Sequence, residues 1–299
     1  MKGTILLACC LSFLIALGSM ACGAEPYVVV TDAPWAPFEM VDNEGEFFGF
    51  DIDLIRAVAV TAGFSVDVKN VAFDAIVEMI RTGGADIGAS GLTITEDRAN
   101  AVDFSVPYYQ SNQAVVIAAD TGLNLVTALG DGSVVGAQNA TSGLWWLEDN
   151  VIAQGIDIDL RGYETYPAAI LDLVNGRLDA VIQDEPASQA SIAAYPDKLS
   201  IAGLIYTQET FGFITAKGDP SQLLPKIETA LAALGLTVET VAGDSSLTIE
   251  PGSFVDSLLA IYFGPDLDAI ADAWQESKDL LLDGDLPAYT QSMQDQLGL

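Results

Sequence analysis

The segment Ala85-Asp-Ile-Gly-Ala-Ser-Gly-Leu-Thr-Ile-Thr-Glu-Asp-Arg98 places an arginine shortly after an apolar strand and a glycine turn. Gly91 has no Cβ atom, so a ligand can approach backbone N–H groups at the turn formed with Ser90. Thr93 adds a hydroxyl, and the guanidinium of Arg98, at a predicted helix start, can bind a carboxylate through two parallel hydrogen bonds. The segment therefore predicts a binding site for an anion.

The charge balance makes a cation in this position notable. The 299 residues include 11 Lys and Arg against 42 Asp and Glu, which gives a formal net charge of −31. Such a chain lacks the basic patches that nucleic acids and anionic membrane surfaces require. Two alternatives remain for Arg98: it binds a ligand, or it pairs with Glu96 or Asp103 at the surface.

Histidine is missing from the sequence, and the three cysteines, Cys9, Cys10 and Cys22, all lie near the N-terminus. This excludes Ser-His-Asp and Cys-His nucleophile systems and zinc sites built on histidine. The mature domain can form no disulfide. We predict binding rather than catalysis, with no cofactor and no metal, because the aspartate pairs at positions 51/53 and 157/159 lack the spacing of a calcium loop.

The N-terminus predicts an export signal over residues 1–21. Lys2 precedes an apolar run over residues 5–17, and small residues follow up to Cys22. The run is shorter than the roughly 20 apolar residues that span a bilayer, and no later stretch reaches that length. The segment Ser19-Met-Ala-Cys22 resembles a lipoprotein box, although Ser19 replaces the usual leucine. Three alternatives remain: a lipid anchor at Cys22, plain secretion, and an uncleaved signal anchor; each puts the protein in the periplasm or on the outer face of the membrane.

Strand-like and helix-like segments alternate along the rest of the chain, which is typical of an α/β fold with mostly parallel sheets. Apolar or alternating patterns predict strands over residues 27–31, 65–71, 85–89, 133–136, 156–160 and 180–182. Apolar residues at helical spacing predict helices over residues 50–62, 73–81, 142–153, 166–174, 185–194 and 223–234.

Four motifs share their order and spacing with a known family. They are Val30-Thr-Asp-Ala-Pro-Trp-Ala-Pro-Phe-Glu39, Gly49-Phe-Asp-Ile-Asp-Leu54, the segment that ends at Arg98, and Leu178-Asp-Ala-Val-Ile-Gln-Asp-Glu-Pro186. Over residues 27–225 the chain resembles the periplasmic amino-acid-binding proteins of ABC importers, the family 3 solute receptors. The resemblance implies a two-lobe Venus-flytrap of type II, with a mainly parallel sheet in each lobe and hinge strands over residues 113–119 and 211–216.

The resemblance also implies the domain organisation. We expect lobe 1 over residues 25–115, lobe 2 over residues 116–211, and a return to lobe 1 over residues 212–234. Residues 235–299 extend beyond the usual length of the family. They are expected to form an extra C-terminal helical region, with a long helix over residues 266–282. This region either packs on lobe 1 or provides a surface for a partner or a second copy.

The implied site serves the three parts of a free amino acid. Arg98 and Thr93 are assigned to the carboxylate, together with Thr141 and Ser142 at a helix N-terminus. Asp184, at the end of a strand, is assigned to the ammonium group with help from the carbonyl groups of Ser90 or Gly91. Asp32 is assigned to the far end of the ligand side chain and Trp35 and Phe73 to its flanks. The alternatives are helix capping by Thr141, Ser142 and Asp184, and core packing by the two aromatic rings.

These inferences predict a monomeric substrate-binding protein that captures an amino acid and delivers it to a membrane permease. The sequence provides no second cation for an acidic ligand side chain, because Gln138 is uncharged where glutamine-binding relatives have a basic residue. We therefore expect a polar or basic ligand (arginine, lysine, histidine or glutamine). The alternatives are the sensor domain of a receptor and a dehydratase-like enzyme on the same scaffold.

Overall fold

The computed structural model describes residues 25–241, 244–264 and 266–299. The expected signal over residues 1–21 and the expected lipidation site Cys22 lie outside the described residues. Within these described ranges, each helix is too short or too polar to cross a bilayer.

The strands, in chain order, are β1 (Tyr27–Thr31), β2 (Met40–Val41), β3 (Phe47–Phe48), β4 (Val66–Asn70), β5 (Ile87–Gly88), β6 (Val102–Phe104), β7 (Tyr109–Ala118), β8 (Val134–Gln138), β9 (Asp159–Tyr163), β10 (Ala180–Asp184), β11 (Leu199–Phe211), β12 (Ile214–Ala216), β13 (Leu236–Val241) and β14 (Asp244–Ile249). The helices are α1 (Phe50–Ala62), α2 (Phe73–Thr82), α3 (Glu96–Ala101), α4 (Leu125–Ala128), α5 (Ser142–Asn150), α6 (Tyr166–Val174), α7 (Glu185–Ala194), α8 (Leu224–Ala233), α9 (Phe254–Tyr262), α10 (Leu267–Leu282) and α11 (Leu286–Leu297).

The strands form two five-stranded sheets, each of which carries one lobe. Lobe 1 is built on the order β4-β1-β5-β12-β6, and lobe 2 on the order β11-β7-β10-β8-β9. In each sheet three neighbouring strands pair in parallel, and the strands next to the lobe connections pair antiparallel. The sequence prediction of a two-lobe α/β fold is confirmed. Ser90 follows the carboxyl end of β5 and Asp184 ends β10, so both lie at the sheet edges where ligands bind in such folds.

The chain passes between the lobes through two short segments. Residues 105–108 connect β6 to β7, and residues 212–213 connect β11 to β12. The expected hinge strand over residues 113–119 is wrong in position, because β7 pairs with β10 and β11 along its length and lies inside the second sheet. The expected lobe boundary at residues 115/116 therefore falls within β7. The second expected hinge strand is interrupted at Gly212, where a Cβ atom would lie 3.0 Å from the Phe104 ring.

Strand β9 begins three residues later than the hydrophobic pattern predicts. The apolar side chain of Ile158 packs in the core of lobe 2, but the pairing with β8 begins at Asp159 opposite Val134. A 3-10 helix over residues 152–154 and the left-handed Gly155 occupy the preceding positions. The neighbouring strand, rather than the local pattern, sets where the strand starts.

The C-terminal region packs on lobe 1. It contains an unpredicted hairpin, β13–β14, followed by α9, α10 and α11, and its apolar residues join one core cluster with α1 and the first sheet. Asp53 of α1 is fully buried and accepts hydrogen bonds from the hydroxyls of Tyr262 and Tyr289. Trp274 stacks on Phe48, with ring centroids 4.8 Å apart. These contacts make the region an integral part of lobe 1.

Candidate functional site

A closed cleft lies between the lobes, and the cavity inside it measures about 20 Å³, far below the roughly 300–1,000 Å³ of typical small-molecule sites. The residues that line it come from the ends of strands and the starts of helices in both lobes. They are Asp32, Trp35, Phe73, Ser90, Gly91, Thr93, Arg98, Gln138, Thr141, Ser142, Tyr166 and Asp184. All ten predicted ligand-binding residues are therefore brought together in one place.

Arg98 lies in the first turn of α3, which Thr95 caps by accepting from the Arg98 N–H. Its guanidinium donates to the carbonyl of Thr93 in lobe 1 and to the carbonyl of Ala140 in lobe 2, at 2.9 Å each. The side chain is 5% exposed, and burial lowers its pKa to about 10, so it remains charged near neutral pH. The alternative of a surface pair is wrong, since the Arg98 side chain is buried and Asp103 pairs with Lys217 instead.

The guanidinium of Arg98 also lies close to two aromatic rings. Its central carbon is 5.3 Å from the ring centroid of Phe73 and 5.1 Å from that of Trp145. The faces of both rings attract the charge of the guanidinium. Of its five N–H donors, two are used in the contacts above, which leaves three for an anionic ligand.

The hydroxyls of Thr93 and Ser142 meet across the cleft, 3.2 Å apart. Both donate to one carboxylate oxygen of Glu209, at 2.9 and 2.5 Å, and Gln113 donates to the other oxygen at 3.2 Å. Glu209 was not predicted as a site residue. It lies on β11 and is brought here by the pairing of β11 with β7, which no local sequence pattern indicates.

Thr141 is the N-cap of α5, and it also lines the cavity. Its hydroxyl accepts from the N–H of Leu144 at 3.3 Å and donates to the carbonyl of Gln138 at 2.7 Å. Tyr166 donates to the same hydroxyl at 3.4 Å. The capping alternative and the site assignment are therefore both compatible with the position of Thr141.

Asp184 ends β10 and is 6% exposed. Its side chain forms no capping hydrogen bond to α7, so the capping alternative is wrong. Burial, followed by the negative charge of Glu209, raises its pKa to about 8. Among the residues that the structure describes, no donor contacts its Oδ1 atom, and a buried carboxylate oxygen without a donor suits a cationic group of a ligand.

Asp32 faces the cavity from lobe 1. Its carboxylate accepts from the side-chain amide of Gln138 in lobe 2 at 2.6 Å, and burial raises its pKa to about 6. Gln138 also donates to the carbonyl of Glu164 at 2.8 Å. Together with the contact of Arg98 with Ala140, this bond connects the lobes in a closed arrangement.

Trp35 lies against the Gly91 turn. A Cβ atom at Gly91, whose φ is +51°, would lie 2.3 Å from the Trp35 ring, so only glycine allows this contact. The Gly91 N–H points away from the cavity and donates to Asp51 at 2.7 Å. The expectation that this N–H group is available to a ligand is therefore wrong. Trp35 also stacks with Tyr166 across the cleft, with centroids 6.2 Å apart.

Sequence reasoning missed two residues that line the cavity, Gln138 and Tyr166, and Trp145, which lies next to Arg98. Gln138 was considered only for its lack of charge. Tyr166 follows the capping Thr165 at the start of α6, and Trp145 lies one turn into α5. The signal that could have found the two aromatic residues is their position in the first turn of a helix that begins at the edge of the sheet.

Comparisons with known proteins agree with this geometry. A family profile described as bacterial extracellular solute-binding proteins, family 3, matches residues 27–239. ABC transporter arginine-binding protein 1 of Escherichia coli is 30% identical over 78% of this chain and 93% of its own length. A probable histidine-binding protein of Neisseria gonorrhoeae is 31% identical over 64% of this chain and 72% of its own length.

Solved structures agree as well. The arginine-, lysine-, histidine-binding protein ArtJ from Geobacillus stearothermophilus superposes with a TM-score of 0.68 at 30% identity, covering 82% of this chain and 99% of that protein. The ancestral amino acid-binding protein AncCDT-1, a precursor of cyclohexadienyl dehydratase, has a TM-score of 0.64 at 28% identity, covering 80% and 95%. Since the family profile spans more than half of the sequence, this chain belongs to the bacterial extracellular solute-binding proteins of family 3.

Proposed function

We propose that this protein is the exported substrate-binding component of an ABC importer and that its ligand is a free amino acid with a basic side chain. The observation that carries the proposal is the charge of the site. Asp32, Asp184 and Glu209 surround the closed cleft, and among the described residues that line the cavity, Arg98 carries the only positive charge. A basic amino acid, with two cationic groups and one carboxylate, complements this arrangement.

The three free donors of Arg98 are assigned to the ligand carboxylate, and the unpartnered oxygen of Asp184 to its ammonium group. Asp32 receives the side-chain end, with Trp35 and Phe73 beside it. An acidic side chain would place a further carboxylate near three others without a cation to pair with. An uncompensated buried charge of this kind costs several kcal/mol, which disfavours aspartate and glutamate.

Calorimetric titration of the mature protein with L-arginine, L-lysine, L-histidine, L-glutamine, L-glutamate and L-aspartate tests the ligand class. We expect the tightest binding among the basic amino acids, and glutamine next. Tighter binding of glutamate than of the first four ligands would contradict the assignment.

The variant Arg98→Ala tests the site. Removing one partner of a buried, hydrogen-bonded charge pair costs about 2–5 kcal/mol, so arginine affinity should fall roughly 30- to 3,000-fold. The matched control is Arg81→Ala, because Arg81 is more than half exposed and pairs with Glu78 on the surface of α2. Unchanged affinity of a folded Arg98→Ala protein would refute the site assignment.

The remaining features of the proposal follow from the family. Lobe 1 is formed by the segments before residues 105–108 and after residues 212–213, lobe 2 is formed by the segment between them, and the protein acts as a monomer that delivers its ligand to a membrane permease. Export depends on residues 1–21, with Cys22 as a lipidation site. Mass spectrometry of the protein from membranes, with a Cys22→Ala control, would reveal a lipid-modified N-terminus.

The dehydratase alternative has one supporting observation, the similarity to a protein described as a dehydratase precursor. Asp184, with its raised pKa, is the carboxyl group that such a reaction would use as an acid. We propose that no reaction occurs. Incubation of the protein with its best ligand, followed by mass spectrometry of the small molecules, should recover the ligand unchanged.

A further inference from the structure

A second group of carboxyls lies behind the ligand cavity, away from its surface. Glu39 and Asp51 are both 0% exposed; the N–H of Asp51 donates to the carbonyl of Phe38, the residue before Glu39, at 3.1 Å, and each carboxyl group shifts the pKa of the other. Of their four oxygens, Oδ2 of Asp51 accepts from the Gly91 N–H at 2.7 Å and from the Tyr108 hydroxyl at 2.6 Å. Within the part of the chain that the structure describes, the other three oxygens form no hydrogen bond of regular geometry, and the Ser90 hydroxyl is the neutral donor that acts on the Glu39 carboxyl.

Two ionised carboxylates cannot form a hydrogen bond with each other, since both are acceptors only. Two like charges in this contact, without water, also repel strongly. One proton resolves both problems, because a protonated carboxyl can donate to its ionised neighbour. Burial raises the pKa of Glu39 well above its usual value and that of Asp51 to about 7, which agrees with a retained proton near neutral pH.

The pair connects the two segments of lobe 1 that line the cavity. On one side, the backbone of Glu39 exchanges hydrogen bonds with that of Trp35, at 2.6 and 3.0 Å. On the other side, Asp51 holds the N–H of Gly91, and the Trp35 ring packs on Gly91. A change in the distance between Glu39 and Asp51 would therefore displace the Trp35 ring and the Gly91 turn together.

We propose that Glu39 and Asp51 share one proton and that this proton-sharing pair positions Trp35 and the Ser90–Gly91 turn for ligand binding. The positioning role rests on the proposed function, whereas the shared proton does not depend on a ligand. The other titratable groups that face the pair are Asp32, Asp184, Tyr108 and Tyr109.

The proton is tested in the ligand-free protein by the dependence of stability on pH. A carboxyl whose pKa is raised by folding contributes stability below the unfolded pKa, and this contribution is lost as the pH rises through the folded pKa. Glu39→Gln replaces the protonated acid by an amide that donates to Asp51 at every pH. In the wild type, the free energy of unfolding in urea should fall between about pH 5 and about pH 9. In Glu39→Gln we expect a smaller fall, and the difference should correspond to the release of up to one proton.

The control for this measurement is Glu46→Gln, which changes the same charge in an exposed loop and should leave the pH dependence as in the wild type. An unchanged pH dependence in Glu39→Gln would refute the shared proton. Because no amino acid is present, this result is independent of whether the protein binds arginine.

Positioning is tested by calorimetry with L-arginine at about pH 6, where we expect the pair to be protonated. Glu39→Gln should bind within about threefold of the wild type, since the amide restores the hydrogen bond. Glu39→Leu cannot form it and should lose about tenfold or more, provided that circular dichroism shows a folded protein. Wild-type affinity in a folded Glu39→Leu protein would refute the positioning role, whereas no binding by the wild type would refute the proposed function instead.

Discussion

The contact between Asp53 and two tyrosines should decide whether the C-terminal region stays attached to lobe 1. Asp53 is fully buried in the first turn of α1, and the hydroxyls of Tyr262 and Tyr289, which donate to it, are buried as well. Arg56 lies 3.6 Å from the same carboxylate, which favours its charged form against the effect of burial on its pKa. Asp53→Ala removes the acceptor of both hydroxyls.

A buried polar group that loses its partner costs about 1–3 kcal/mol, so two hydroxyls would cost about 2–6 kcal/mol. The hydroxyls of Tyr262 and Tyr289 lie 3.3 Å apart and can retain one bond between them. We therefore expect the free energy of unfolding to fall by about 2–4 kcal/mol, a large part of the 5–15 kcal/mol that is usual for a domain. Asp53→Asn keeps one carbonyl acceptor and should lose about 1–2 kcal/mol.

Urea denaturation followed by circular dichroism measures these values, and limited proteolysis reports whether residues after 235 are cut first. The matched control is Asp74→Ala, since Asp74 is an exposed acidic residue in the first turn of α2. Its loss removes only a helix-dipole contribution of about 0.3–1 kcal/mol. If Asp53→Ala unfolds with the same free energy as Asp74→Ala, Asp53 does not anchor the C-terminal region.

Three further predictions concern the ligand site. Gly91→Ala should weaken arginine binding at least tenfold in calorimetry, because the new Cβ atom displaces the Trp35 ring; full affinity would contradict this role. Arginine affinity should rise between about pH 6 and about pH 8, because the pKa of Asp184 is about 8 and its carboxyl group attracts the ligand ammonium only when ionised. Asp184→Asn should weaken arginine binding and remove this pH dependence. Arginine should reduce the radius of gyration in solution scattering if closure of the lobes accompanies binding, and an unchanged radius at saturation would argue against it.

Much of the fold could be predicted because its signals are local. Helices α1, α6 and α7 begin and end at the residues that apolar spacing and the neighbouring caps indicate, and β1 matches its apolar run. The start of β9 could not be predicted in the same way, since its pairing with β8 sets it. The hairpin β13–β14 was also missed within a region expected to be helical.

The sequence alone determined that this protein has an α/β fold, because strand and helix patterns are local, and its resemblance to a known family indicated the ten residues that line one cavity. The tertiary structure alone decided the role of Glu209, 116 residues from Thr93, and that of Tyr262, 209 residues from Asp53. It also decided that the carboxyl groups of Glu39 and Asp51 are buried together behind the cavity. Local periodicity indicates which side of a helix or strand is buried. Contacts between distant segments depend instead on how the sheets and helices pack, and the burial that results shifts the pKa values of the carboxyl groups brought together.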